Sequence, residues 1–477
     1  MRTASPCRLN AAFLDDQAVL HLLDGLVRGG ERAFVVGGAV RNALLGLPAT
    51  DVDIATTATP DVVTRLFEAE GLQVVPTGID HGTVTVVVDG VPHEITTFRR
   101  DVATDGRRAA VAFSTDIRED AERRDFTVNA LYCDRAGRVL DPTGEGLDDL
   151  ENRRLRFVGL ADTRIREDAL RILRYFRFRA TLGIGGDGWS RDDRTMQVLR
   201  DRVELVDGLS RERIGAEMRK LLAAPVVLPV LQEMEDIGLL GRILPGPAPL
   251  DLLARLESSR DPRGGLPGLF LRLAILSPED PARDLRLSRK DCERLRATSW
   301  GASIQGAGEA GYRLGKDIGG DALMLCAARG GPAFTAERLA ELETGAAAVF
   351  PVRAADLPPR LKGRAIGEAL ARLERDWIGS GFQATRASLL GLEPDVLLFT
   401  TETGARVIVP VEEDPRDLGL TDAQRLRIEA GERLEDVLQE HYSARGWISH
   451  GRMSAEAAMR FPGGPCNAED PQQIFAF

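Results

Sequence analysis

The chain has 477 residues, 43% hydrophobic and 28% charged, which is too long for one core and predicts about three domains of ordinary globular composition. No run approaches the ~20 apolar residues of a membrane span, the first ten residues lack a signal-peptide pattern, and Cys7, Cys133, Cys292, Cys326 and Cys466 lie far apart without a C-x-x-C. A membrane partner, a disulfide framework and a zinc ribbon are thereby excluded, and the cytoplasm is the expected compartment. The net charge of −11 is unevenly placed, with 16 Asp+Glu against 8 Arg in residues 391–477, so the rest of the chain is nearly balanced and an RNA substrate stays open.

In chain order, an apolar strand from Ala33 to Val36 ends at Gly37-Gly38 and leads into a short helix from Val40 to Leu45. Backbone N–H groups at such a junction approach phosphate oxygens closely, and Arg41 adds fixed positive charge. Asp51-Val52-Asp53-Ile54 follows. On a strand, Asp51 and Asp53 share a face, with Val52 and Ile54 turned to the core, and two carboxylates suit a hard cation such as Mg²⁺. A phosphate cradle beside a carboxylate pair points to metal-assisted nucleotidyl transfer. Thr83–Val88 and Val91–Phe98 read as strands joined by Asp89-Gly90, a strong hairpin signal. Glu94, on the second of them, is either a third carboxylate for the site or an exposed edge residue. His81 reads as a turn residue, and Arg99–Ser114 as a mobile loop around Thr-Asp-Gly-Arg-Arg.

Arg123-Arg124-Asp125-Phe126-Thr127-Val128-Asn129-Ala130 offers guanidinium groups for triphosphate or ribose oxygens, with Asp125 and Asn129 available to ribose hydroxyls; a helix start capped by Asp125 reads equally from it. These first 150 residues form an α+β domain on a small sheet. From about residue 155 to 390 the periodicity is helical. In the run from Arg164 to Phe178, Asp168 and Arg171 are three apart, hence neighbours on one helix face, followed by Arg174 and Arg177. This is either a solvated ion-paired face or a base reader. A carboxylate accepting from an exocyclic amino group beside a guanidinium donating to a ring nitrogen matches cytosine and adenine, and leaves uracil and guanine unpaired. Gly183–Gly188 reads as an inter-helix loop. Beyond residue 391 come a hairpin around Glu402-Thr403-Gly404, one amphipathic helix from Asp422 to Tyr442, and a Gly/Pro-containing end from Phe461 to Phe477.

Gly37-Gly38-Ala39-Val40-Arg41 with Asp51-Val52-Asp53, Arg123 to Ala130, Glu167-Asp168-Ala169-Leu170-Arg171, and Arg211-Glu212-Arg213-Ile214 with Lys220-Leu221-Leu222 resemble, in order, the motifs of class II tRNA nucleotidyltransferases. These CCA-adding enzymes share a family with bacterial poly(A) polymerases. The resemblance implies a polymerase-β-like head (1–150), a helical neck with base recognition (151–225), a helical body and tail (226–390) holding the tRNA acceptor end, and an acidic C-terminal α+β extension (391–477). It implies Mg²⁺ on Asp51 and Asp53, the CTP or ATP phosphates or sugar at Gly38, Arg41 and Arg124, and base and phosphates at Asp168, Arg171, Arg174 and Arg177. Asn42 departs from the family, which usually has Asp there. The lack of histidine between His93 and His441 argues against the His-Asp phosphohydrolase domain of some relatives. The expected activity is C-C-A addition; poly(A) addition and a catalytically inactive RNA-binding protein are the alternatives.

Overall fold

The computed structural model describes residues 8–49, 51–104, 109–183, 189–190, 192–244, 246–276, 285–391, 395–400, 406–410, 420–421, 424–425, 427, 433–444 and 448–454. The chain divides into two compact units, Met1–Ile304 with Asp317–Leu339, and Gln305–Lys316 with Ala340–Phe477.

The first unit is built on a sheet of β1 (Ala33–Val36), β2 (Asp53–Thr56), β3 (Gln73–Gly78), β4 (Thr83–Val88), β5 (Val91–Thr97), β8 (Tyr132–Cys133) and β9 (Val139–Leu140), in the order β3-β4-β5-β2-β1-β8-β9. All four residues of β1 are buried, as expected of a central β-branched and aromatic run covered on both faces. β4 and β5 pair in register up to Val88↔Val91, and Asp89 (φ 50°) and Gly90 (φ 80°) both take the left-handed conformation that a two-residue hairpin turn needs. Helices α1 (Gln17–Arg28) and α3 (Pro60–Ala69) pack on the sheet through α1·β1, α3·β3 and α3·β4 contacts. Elsewhere in this core, Phe34, Phe98 and Tyr132 meet at ring-centroid distances of 6.1–6.2 Å.

The segment read as a mobile loop is instead a hairpin. β6 (Arg99–Thr104) and β7 (Ala109–Phe113) pair from Arg99↔Phe113 to Thr104↔Ala109, with an irregularity after Asp101. Asp105-Gly106 is the same turn signal as Asp89-Gly90, but the polar first strand hides the alternation; residues 105–108 themselves lie outside the described set.

The helical run expected after residue 155 is present: α6 (Ala161–Glu167), α7 (Leu170–Leu182), α8 (Asp193–Asp201) and α9 (Arg211–Leu222) lead into further helices, among them Leu228–Asp236, Leu250–Ser258 and Arg289–Gly301. Helices α7 and α9 pack together. Residues 184–188 of the glycine-rich loop are outside the described set. None of the helices among the described residues is long and apolar enough to cross a membrane.

In the second unit, Trp377 gathers Tyr312, Phe350 and Phe382 at 5.0–5.4 Å or through one another. Its end carries a three-stranded antiparallel sheet of β10 (Asp395–Thr400), β11 (Arg406–Pro410) and β12 (Ile448–Ser454), in the order β11-β10-β12. The hairpin therefore stands, although its turn and the segment 461–477 fall outside the described residues. Among the described residues the single helix expected over 422–442 is interrupted: Gln424, Arg425 and Arg427 are helical, Arg433 is extended (φ −66°, ψ 130°), and a helix Leu434–Ser443 follows. β12, Ile-Ser-His-Gly-Arg-Met-Ser, lacks apolar alternation and gave no strand signal.

Candidate active site

Two glycines set the entrance of the site. Gly37 has φ 73° and ψ −124°, closed to residues with a Cβ, and its N–H donates to the Leu131 carbonyl (3.1 Å). The chain thus turns sharply from β1 into α2 (Gly38–Leu44), whose first N–H groups have no acceptor within the helix. A Cβ on Gly37 would stand 3.7 Å from an Arg124 guanidinium nitrogen, so Arg124 flanks this turn.

Asp53 opens β2, and Asp51 lies just before the strand instead of on it. Ile54 is fully buried, whereas Val52 is half-buried. β2 runs parallel to β5 with Ile54↔Ile95 paired, so Asp53 and Glu94, one residue earlier on each strand, stand side by side. Asp51, Asp53 and Glu94 line one cleft of about 710 Å³. Desolvation by its walls raises the Asp53 carboxyl pKa, the charges of Glu94 and Asp51 raise it further, and Arg124 opposes them. Such mutual repulsion is what a bound divalent cation relieves. The donors are all oxygens, as Mg²⁺ requires; among the described residues no group of three or more His, Cys, Asp or Glu converges on one point. One or two carboxylates completed by phosphate oxygens and water is the usual Mg²⁺ shell, and Asp51 with Asp53 fits it. In the metal-free protein, Asp53→Asn is expected to raise the melting temperature at pH 7 by about 1–3 °C through relief of repulsion. Mg²⁺ should raise that of the wild type and not that of the variant; calorimetry with and without chelator checks both.

Arg124 is fixed by a carboxylate that the sequence reading passed over. Asp120, on α4 (Ile117–Glu122), is 1% exposed and bonds Arg124 (3.0 Å), Arg123 (2.8 Å) and the Tyr132 hydroxyl (2.6 Å). Burial alone pushes this carboxyl up, but Arg124, Arg123 and the hydroxyl outweigh it and hold it below the usual range. Its i,i+3 and i,i+4 spacing to the two arginines was a usable signal. A depressed folded-state pKa contributes stability that is present above the unfolded value near 4 and is lost as pH falls through the folded value. Asp120→Asn is expected to cost about 3 kcal/mol at pH 7, as for a buried ion pair losing one partner. It should also flatten the loss of stability between pH 5 and 2; melts across that range test it.

Arg41, Asp125, Asn129, Arg174 and Arg177 gather around Phe178 of α7. The guanidinium groups of Arg41, Arg174 and Arg177 lie 5.0, 5.6 and 4.2 Å from its ring centroid. Asp125 binds Arg174 (2.5 Å), accepts from Asn129 (3.2 Å) and from the Phe126 N–H that starts the next turn. Asn129 in turn accepts from Arg41, so its amide joins the two. Glu217 of α9, buried and unforeseen because it is distant in sequence, faces Arg177 (3.2 Å) and Arg174 (3.8 Å). Among the described residues the side-chain hydrogen bonds of Arg41 go to amide oxygens, those of Asn129 and Asn42 (2.7 Å to the latter). Burial lowers its pKa to about 10 despite Asp125, with Arg177 and Arg174 adding to the fall. Asn42, where the family usually has Asp, thus touches Arg41 directly.

Asp168 and Arg171 do not share a helix face. Asp168 is extended (φ −153°, ψ 105°) and separates α6 from α7. One of its oxygens accepts from the Leu170 N–H (3.1 Å) and the other from Arg213 of α9 (2.8 Å). Arg171 is held by Glu167 (2.5 Å) and by the carbonyls of Arg164 (2.9 Å) and Arg123 (3.2 Å). Competition from the side chain for the Leu170 N–H favours the break over a continuous helix.

A glycine turn, a carboxylate pair at the start of the neighbouring strand and a buried arginine cluster define a nucleotidyltransferase head followed by a helical neck. Family models agree: "Poly A polymerase head domain" matches residues 33–156, and "Probable RNA and SrmB- binding site of polymerase A" residues 192–250. The CCA-adding enzyme of Streptococcus gordonii is 44% identical over 220 residues, 46% of this chain and 53% of that protein. The mitochondrial CCA tRNA nucleotidyltransferase 1 of Danio rerio is 41% identical over 206 residues, 43% of this chain and 47% of that one. The chain thus spans about half the length of these curated relatives. The crystal structure of the Bacillus stearothermophilus CCA-adding enzyme in complex with CTP matches 76% of this chain and 93% of its own, with 30% identity and a TM-score of 0.62. The chain belongs to the CCA-adding enzyme family.

Proposed function

We propose that the protein adds C, C and A to the 3′ end of tRNA from CTP and ATP, without a template, with Mg²⁺ held by Asp51 and Asp53, acting in the cytoplasm. In this reading Gly37, Gly38, Arg41 and Arg124 receive the triphosphate, and Asp125 and Asn129 keep Arg41 and Arg174 in place beside the sugar. Glu94 adds a third carboxylate to which the attacking 3′ hydroxyl can lose its proton as it bonds the α-phosphorus and pyrophosphate leaves. The chemistry that a divalent cation supplies there is neutralisation of the phosphoryl oxygens and acidification of the hydroxyl.

The observation that carries the reading is the separate tethering of Asp168 and Arg171. Each is held by a third residue, so neither neutralises the other, and a carboxylate just before α7 and a guanidinium in its first turn are kept in place as acceptor and donor for the amino group and ring nitrogen of C or A. The neck residues 151–225 hold this pair, and residues 226–390 are assigned to the acceptor stem. The relative solved with CTP, itself a CCA-adding enzyme, favours C-C-A addition over poly(A) addition. The test offers a tRNA lacking CCA and an unrelated RNA primer, with all four triphosphates, and reads product length. Three nucleotides on the tRNA alone are expected; long A tails on both would make the protein a poly(A) polymerase.

A further inference from the structure

The carboxylate cleft holds a charge that the reaction above does not use. Asp16, Asp51, Asp53 and Glu94 line it, and Lys220 is the one cationic side chain among the described residues that do so. Lys220 stands near the end of α9, exposed, and makes no ion pair or hydrogen bond among the described residues, unlike its neighbours on that helix. Arg211 donates to the carbonyls of Arg242 and Ile243, Arg213 pairs with Asp168, Glu217 faces Arg177, and Arg219 pairs with Asp291. The buried residues of α9 are Ile214, Gly215, Glu217, Met218, Leu221 and Leu222. Lys220 is therefore not needed to seat α9.

Arg41, in α2 after the glycine turn, and Arg124, which flanks that turn, are not among the residues lining the cleft, although the charge of Arg124 reaches Asp53. The two substrates thus meet the carboxylates from different sides. A triphosphate at the glycine turn finds its cations there. An RNA strand whose 3′ hydroxyl must reach Asp51 and Asp53 through the cleft meets four like charges and one ammonium.

We propose that Lys220 binds the backbone phosphate next to the 3′-terminal nucleoside of the acceptor strand and so brings its hydroxyl to the carboxylates. The inference rests on the nucleotidyl-transfer reading and gives the RNA strand its own contact. A compact ammonium on a flexible stem suits a strand that must advance by one nucleotide after each addition, whereas a planar guanidinium fork fixes geometry.

The experiment compares wild type, Lys220→Ala and Lys220→Arg by direct binding of a tRNA lacking CCA over a salt series, and by steady-state addition of C and A. Lys220→Ala should weaken RNA binding about tenfold at low salt and lower the slope of log Kd against log salt by about 0.7, one phosphate contact on a single strand. KM for CTP and ATP should not move, and Lys220→Arg should restore most of the RNA affinity. Unchanged RNA affinity and slope in Lys220→Ala would overturn the proposal. So would a rise in triphosphate KM alone, or an arginine variant as weak as alanine. A wild type that binds the tRNA yet adds no nucleotide refutes the transfer reading instead, and the binding data still decide the Lys220 contact.

Discussion

Asp51→Ala and Asp53→Ala are each expected to lower nucleotide incorporation by on the order of a thousandfold while leaving tRNA affinity within about twofold. Each removes half of the carboxylate pair beside Glu94, and charge stabilisation by a metal contributes several kcal/mol to a phosphoryl-type transition state. The two variants differ in their side effects. Asp53 borders the core through Ile54 and is crowded by Glu94, so its removal relieves repulsion; Asp51 lies outside the strand. Single-turnover incorporation with saturating CTP, beside filter binding of tRNA, separates chemistry from association. Near wild-type turnover by either variant would refute the metal-pair assignment.

Asp168→Ala is expected to abolish the preference for C and A over U and G, a change on the order of a hundredfold or more. Discrimination of this kind comes from buried polar groups left unpaired by the wrong base. The same substitution removes the acceptor of the Leu170 N–H and the partner of Arg213, so some stability is lost with it, about 1 kcal/mol for a cap of this type. Arg213→Ala is the control, because it takes away the ion pair and keeps the carboxylate. Single-nucleotide addition with each triphosphate should show preference lost in the first variant and kept in the second. Equal preference in both would reduce Asp168 to a structural cap.

The parts of the site that lie close together in sequence were the legible ones. Gly37-Gly38, Asp51-x-Asp53 and the Asp89-Gly90 hairpin are each decided by local backbone geometry, and all three stand where spacing put them, with Asp51 just outside its strand. The Arg99–Ser114 hairpin was missed because a polar strand carries no alternation, even with its turn signal present. The break at Asp168 was hidden for a different reason: the periodicity of 164–178 suits one helix, and only the side-chain capping of Leu170 and the pull of Arg213 from α9 end it. Glu217 and Phe178 had no local signature as site residues. Their roles exist only once α7 and α9 pack, which no spacing within either helix reveals.

Phe178 has a consequence for anyone dissecting the molecule. Its ring belongs to α7, yet Arg41 from the glycine turn stacks on it, and Phe126 meets it at 5.4 Å. Asp125 likewise finds its strongest cation in Arg174 of the same helix. A fragment ending at residue 150 would keep every motif of the catalytic sheet and still leave a buried carboxylate without its counter-charge and an aromatic side chain facing water. The smallest piece worth expressing therefore runs through α9, because the chemistry of the sheet is assembled on a surface that the helices supply.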